Sequence, residues 1–217
     1  MYVHLFNYLL SLRAMFLADL PVYKRLTRQR SITFAQYLAP LIPDNAHILD
    51  FGCGNMYTAI QLLNHRPNLT ITGLDIIRDQ NLSDDILATK NIKFQLSSTK
   101  EIQSPDDSFD GAIALATLHH TPDPEYFLSE LVRVVKKDGF IILVEEMAVN
   151  PLDKLYICVE DWLLNKMKEG VPVPLNFRYH KQYLKEFEKQ GLSIEFQGSV
   201  RPFPTMMHHY VYKLKKK

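Results

Sequence analysis

Two glycines set against two acids are the feature of this chain with the clearest chemistry. Residues 48–56 read Ile-Leu-Asp-Phe-Gly-Cys-Gly-Asn-Met, so Gly52 and Gly54 directly follow a short apolar run. Glycine lets a backbone turn sharply and approach a ligand without a Cβ in the way. A helix after such a turn offers unpaired N–H groups to a carboxylate. Asp50 stands before the first glycine, and Asp75 closes the next apolar run. An acid there accepts two hydrogen bonds from a ribose diol. A dinucleotide fingerprint would place its third glycine at Tyr57, where close helix–strand packing excludes a side chain. Asp50 also favours a cationic ammonium group over a pyrophosphate.

Further along, His119 and His120 follow the run 109–116. Imidazole titrates near neutrality, so one of them can take a proton from a substrate hydroxyl or amine. His120, one step further into the loop, is the expected base, and His119 is expected to pack beneath the turn. Tyr156, Trp162, Met167 and Phe177, followed by Arg178, Tyr179 and His180, could enclose a planar or apolar acceptor. The His208-His209 pair has no partner at helical or hairpin spacing, so no metal site is expected.

These groups need elements to hold them, and the chain supplies an alternation. Apolar runs at 46–51, 69–74, 92–96, 109–116 and 140–144 read as strands. Between them, 57–65 and 83–89 read as helices, and Pro124 starts another that is expected to reach Lys136 before Lys137-Asp138-Gly139 stops it. This is a doubly wound α/β pattern with a mostly parallel sheet and helices on both faces. A helix at 179–190 ends at Gly191, and the runs 192–197 and 207–214 suit an antiparallel hairpin at the sheet end. A helical insertion at 147–173 leaves the strand carboxyl edge, where ligands of open α/β sheets sit.

In this order, the motifs resemble the type 11 methyltransferase domain, a family of small-molecule, class I S-adenosylmethionine-dependent methyltransferases. Residues 48–54 resemble its first motif and Gly73-Leu74-Asp75 its second. Residues 105–111, 118–124 and 128–139 resemble the segments around its fourth strand and next helix. The resemblance covers residues 46–147. It implies a Rossmann-like, seven-stranded sheet with an antiparallel C-terminal strand, and S-adenosylmethionine as cofactor. By position, Asp50, Gly52, Cys53 and Gly54 would surround the methionine part. Asp75 would hold the ribose, Ile76 would face the adenine, Ser98 and Thr99 would lie at its edge, and Leu115 and Ala116 would line the floor. Two positions depart from the pattern. Met56 replaces a usual third glycine and is expected to narrow the methionine pocket; Ser98 replaces an acid that accepts from the adenine amino group.

The chain has 217 residues, a formal net charge of +1 and two cysteines, Cys53 and Cys158. That length suits one domain, with a helical cap at 1–42, a cofactor-binding core at 43–147, a lid at 148–180 and a closing helix and hairpin at 181–217. The charge argues against nucleic acid, and the cysteine spacing suits a reducing, cytoplasmic setting. Residues 1–20 are apolar but broken by Arg13 and Asp19. That suits a helix packed on the domain, or one touching a membrane surface, better than a signal peptide or a spanning helix. The lysines at 213–217 read as a solvated end. The implied activity is methyl transfer to a small-molecule or lipid-like acceptor; a fold of this kind that has lost turnover and serves as a scaffold is the alternative.

Overall fold

Side chains that alternate between two faces divide the core. The computed structural model describes residues 21–98, 100–165, 173–202 and 209–217. The expectations for residues 1–20, Thr99, Met167 and His208 therefore fall outside the described residues. On β1 (His47–Phe51), Ile48 enters one apolar cluster and Leu49 the other. On β5 (Val135–Glu146), Ile141 and Leu143 share the side of Leu49 while Ile142 and Val144 share that of Ile48. Strands buried on both faces lose the polar alternation of a half-exposed sheet. Each such Ile or Leu contributes about 1.5–3 kcal/mol of burial.

The remaining strands are β2 (Thr70–Asp75), β3 (Ile92–Leu96), β4 (Phe109–Leu115), β6 (Leu192–Val200) and β7 (His209–Lys216). The sheet order is β3-β2-β1-β4-β5-β7-β6. β1 to β5 pair in parallel, and β7 runs antiparallel to both β5 and β6. This is the doubly wound, mostly parallel sheet expected from the alternation. One face carries α1 (Pro21–Leu38), with Phe34, Ala35 and Leu38 buried, and α2 (Tyr57–His65). The short α3 (Asp84–Leu87) follows β2. The other face carries α4 (Pro124–Val134) and α6 (His180–Lys189). Between β5 and α6, the insertion forms α5 (Pro151–Asn165). Among the described residues, no helix is long and apolar enough to cross a membrane.

Two local expectations fail for visible reasons. α4 ends at Val134, not Lys136, because Val135 already pairs with Phe109. The next pair in register is Gly111 with Phe140, so residues 136–139 loop out opposite Asp110. Lys136 Nζ holds Asp110 Oδ1 at 2.8 Å, and Asp138 takes a φ of 62°. Lys137-Asp138-Gly139 thus turns a bulge rather than ending a helix. The closing lysines are also not merely a solvated end. β7 continues to Lys216, whose Nζ donates to Val135 O at 2.6 Å and to Asp107 Oδ1 at 2.8 Å. Leu214, between the lysines, is fully buried.

Candidate active site

The strand order reverses between β1 and β4, and their carboxyl ends touch. Gly52 has a φ of 72°, and its N–H donates to Leu74 O at 2.8 Å. A Cβ at Gly52 would lie 2.2 Å from Thr117 Cγ2, just beyond β4, so no side chain fits there. Gly54, with a φ of 52°, has open space where a Cβ would be. Its N–H donates to Asp75 Oδ2 at 2.8 Å, and Asn55 Oδ1 accepts from Tyr57 N at 3.0 Å. The Met56 N–H goes to Cys53 O. The N–H groups of Gly52, Gly54, Met56 and Tyr57 are therefore taken by the chain itself, Tyr57 being the first of the helix that the sequence offered to a ligand carboxylate. They fasten the turn to Asp75 and to α2.

The two acids flank this turn closely enough for the Asp75 carboxylate to act on Asp50. Asp50 is 7% exposed, and its side chain makes no hydrogen bond or ion pair among the described residues. Burial, with the Asp75 carboxylate second, pushes its carboxyl up to about 7. Asp75 is raised too, mainly by burial, against the opposing effect of hydrogen bonds from backbone N–H groups including Gly54. Burial also pushes the Cys53 thiol up, with Asp50 and Asp75 adding to the effect, so Cys53 is no ready nucleophile.

Met56 does not narrow this site. Its side chain is fully buried in the core, and it is not among the residues lining the cavity. It lies where a side chain on Gly73 of β2 would be: a Cβ there would sit 2.4 Å from Met56 Cε and 2.8 Å from Cys53 Sγ. Met56 pays for this with a left-handed backbone, φ 56°, worth roughly 1–2 kcal/mol for a residue with a Cβ. The two positions are thus coupled. Met56→Gly should lose about 2–3 kcal/mol, the cavity cost outweighing the relieved backbone. Gly73→Ala should lose about 1–3 kcal/mol by overpacking. The double variant should lose at least about 1 kcal/mol less than the two losses together, as urea unfolding midpoints will show.

Beyond β4, the loop hangs on one buried acid. Glu145 Oε1 accepts from the N–H groups of Thr117 (2.9 Å) and Leu118 (2.7 Å), and Glu145 Oε2 pairs with His119 Nδ1 at 2.5 Å. His119 is buried and stacks on Phe177 at 4.2 Å. Burial disfavours its charged form, but Glu145 and Asp161 outweigh that, raising it to about 10. His120 is half-buried and reaches the cavity. Asp161, a buried acid of α5, places Oδ1 3.6 Å from His120 Nε2 and 3.8 Å from His119 Nε2. Glu145 and Asp161 were not singled out in the sequence. The signal for the first was an acid closing a wholly apolar strand at the carboxyl edge; the second had none beyond its place in the insertion.

These elements surround a cavity of about 380 Å³, within the range of small-molecule sites. Gly52, Cys53, Gly54, Asp75, Ile76, Ser98, Leu115, Ala116 and His120 line it, whereas Asp50 lies beneath. Ser98 Oγ already accepts from Lys100 N at 3.2 Å. α1 adds Thr27, Arg30, Ser31 and Phe34, and α5 adds Asp161. The aromatic residues of the insertion do not contribute. Tyr156 and Trp162 are exposed, Phe177 packs behind His119, and Arg178 is held by Glu125 at 2.6 Å. His180 instead bonds the Tyr212 hydroxyl, and Tyr179 caps α6.

Among the described residues, Asp50 is thus a buried carboxylate without a hydrogen-bond partner, and Asp75 stands on the cavity wall. Comparison with known proteins identifies what the chain is similar to. Residues 49–143 match the family described as "Methyltransferase domain". The 27-O-demethylrifamycin SV methyltransferase of Amycolatopsis mediterranei is 31% identical over 119 residues, covering 52% of this chain and 43% of that protein. The tRNA U34 carboxymethyltransferase of Nautilia profundicola is 29% identical over 134 residues, covering 60% and 43%. The chain thus spans less than half the length of these relatives. The structure of the Burkholderia thailandensis 1,6-didemethyltoxoflavin-N1-methyltransferase, with bound 1,6-didemethyltoxoflavin and S-adenosylhomocysteine, superposes with a TM-score of 0.65 at 16% identity, covering 97% of this chain and 89% of that one. Residues 49–143 therefore match a methyltransferase domain, and the fold around them is that of solved S-adenosylmethionine-dependent methyltransferases.

Proposed function

We propose that this chain holds S-adenosylmethionine at the β1–β2 edge and transfers its methyl group to a small-molecule acceptor, lipid-like ones included. The observation that carries the reading is Asp50, a buried carboxylate beneath the glycine turn with no hydrogen-bond partner among the described residues. It would meet the cofactor's ammonium group, with Gly52, Cys53 and Gly54 around the methionine part. Asp75 would hold the ribose hydroxyls, Ile76 would pack on the adenine, Ser98 and Thr99 would lie at its edge, and Leu115 and Ala116 would form the floor. The cofactor supplies an activated methyl group on a sulfonium. The chain's own residues supply placement, since in-line displacement depends chiefly on close and aligned reactants. α1 and α5 serve as cap and lid over the acceptor end, where His120 faces the acceptor's reacting atom. A near-neutral chain, with a net charge of +1, lacks the basic field expected for a nucleic-acid acceptor.

Calorimetry with S-adenosylmethionine and S-adenosylhomocysteine tests the reading directly. Asp75→Ala should weaken either ligand by about 1–3 kcal/mol, roughly 5- to 150-fold, through lost charge-assisted bonds to the diol. No heat and no competition from either ligand at millimolar concentration would overturn the reading and leave a scaffold in its place.

A further inference from the structure

We propose that His119, His120 and Asp161 form a site for one divalent transition-metal ion at the acceptor end of the cavity. All three residues line that cavity, and their donor atoms lie within 4.8 Å of one another. Asp161 Oδ1 stands 3.8 Å from His119 Nε2 and 3.6 Å from His120 Nε2. Both separations are too long for a hydrogen bond. They are close to the spacing of two donors that share one ion, about 3.4 Å for tetrahedral bonds of about 2.0–2.1 Å.

The surroundings of His119 point the same way. Its Nδ1 is held by Glu145 Oε2 at 2.5 Å, which leaves Nε2 as the nitrogen facing Asp161. A carboxylate behind the ring is the usual way a metal-binding histidine is oriented. Phe177 stacked at 4.2 Å on the His119 ring, and the His120 ring centred 4.2 Å from it, restrict its rotation. Two imidazoles and one carboxylate suit zinc, iron, cobalt or nickel better than magnesium or calcium. The remaining coordination position would open to the cavity, toward an acceptor with an oxygen or nitrogen donor.

The inference rests on the acceptor end assigned above, and it alters what His120 does there. The ring would serve the acceptor as a ligand of the ion in place of carrying the proton itself. It also gives α5 a chemical reason to dock. Asp161 is the one ligand from the insertion, so the ion would tie the lid to the β4 edge.

Untagged protein, stripped with a chelator, should take up one Zn²⁺ per chain in equilibrium dialysis at micromolar concentration. Co²⁺ should give visible absorption bands of a four- or five-coordinate ion, and Mg²⁺ should not compete. Asp161→Ala and His120→Ala should each weaken Zn²⁺ binding by about 100-fold or more. Glu145→Gln should weaken it by about 10- to 100-fold, through loss of ring orientation. Circular dichroism checks that each variant is folded. No stoichiometric uptake of either ion, or uptake unchanged in both Asp161→Ala and His120→Ala, would overturn the proposal. Cofactor affinity of the wild-type protein, measured with and without Zn²⁺, reports separately on the methyl-transfer reading.

Discussion

Asp50→Asn is expected to make the cofactor-free protein more stable and to weaken cofactor binding severely. In the unfolded chain an aspartate titrates near 3.9. In the folded protein the Asp50 carboxyl is raised to about 7 by burial and by Asp75. Below about pH 4 both states hold the proton, and the group costs nothing. As pH rises from about 4 to 7, the unfolded state releases its proton first, so stability falls. Above 7 the full penalty remains, on the order of 4 kcal/mol. Asparagine has the same shape and no charge to desolvate, so the cofactor-free variant should unfold at higher temperature at pH 7.5. Its stability should also lose the decline between pH 4 and 7.

The binding side has the opposite sign. A cationic ammonium over Asp50 would favour the ionised carboxylate, so binding near pH 6 should release a proton. Affinity should rise between pH 5.5 and 7, and heats should differ between buffers of different ionisation enthalpy. In Asp50→Asn that proton release should vanish. The affinity at pH 7.5 should fall by roughly 3–5 kcal/mol, the usual cost of removing one member of a buried charge pair. A variant that is less stable at every pH, with cofactor affinity unchanged, would show that Asp50 is a structural acid.

The groups most readable from sequence were those whose function requires an unusual residue type. Gly52 had to be glycine because Thr117 leaves no room for a Cβ. Asp50 and Asp75 stood out as charges at the ends of apolar runs; the structure buries Asp50 and sets Asp75 on the cavity wall. The apolar strands were readable because burial on both faces leaves them no polar residues to alternate with. What stayed hidden was decided by pairing across the chain. The end of α4 depends on Val135 finding Phe109, a contact that no local stop signal encodes. Met56 looked like an obstruction because a departure from a glycine pattern says nothing about where the side chain goes. Its hiding place is the missing side chain of Gly73, on a different strand. The aromatic residues of the insertion suggested a pocket by type alone, yet their ring directions were fixed by packing. Instead it is Asp161, one acid among many, that α5 turns inward.

Glu145→Ala, on β5, is expected to destabilise the loop beyond β4 more than any single change within that loop. The side chain is fully buried and accepts from two backbone N–H groups and from His119 Nδ1. Truncation leaves three donors facing a space with no acceptor, and each buried unpaired group costs about 1–3 kcal/mol. Water entering the gap can recover part of this, so the net loss should be on the order of 3–5 kcal/mol. For a chain of this size each kcal/mol moves the melting temperature by about 2–4 °C. A fall of roughly 6–20 °C is therefore the expected calorimetric result.

Glu145→Gln separates the backbone role from the histidine role. Its amide oxygen can still accept from Thr117 and Leu118, so most of the loop's stability should survive. Its amide nitrogen, however, would donate toward His119 Nδ1 and force that nitrogen to accept. The ring, doubly protonated in the wild type below about pH 10, would then be neutral with its proton on Nε2, the nitrogen facing Asp161. Nitrogen-15 NMR of the imidazole reads that protonation state directly. Melting temperatures near wild type for Glu145→Gln, with His119 Nδ1 deprotonated, would show that one carboxylate both braces the loop and holds the charge on the ring. Equal melting temperatures for all three proteins would show instead that the turn is held by its packing, and that the carboxylate serves the histidine alone.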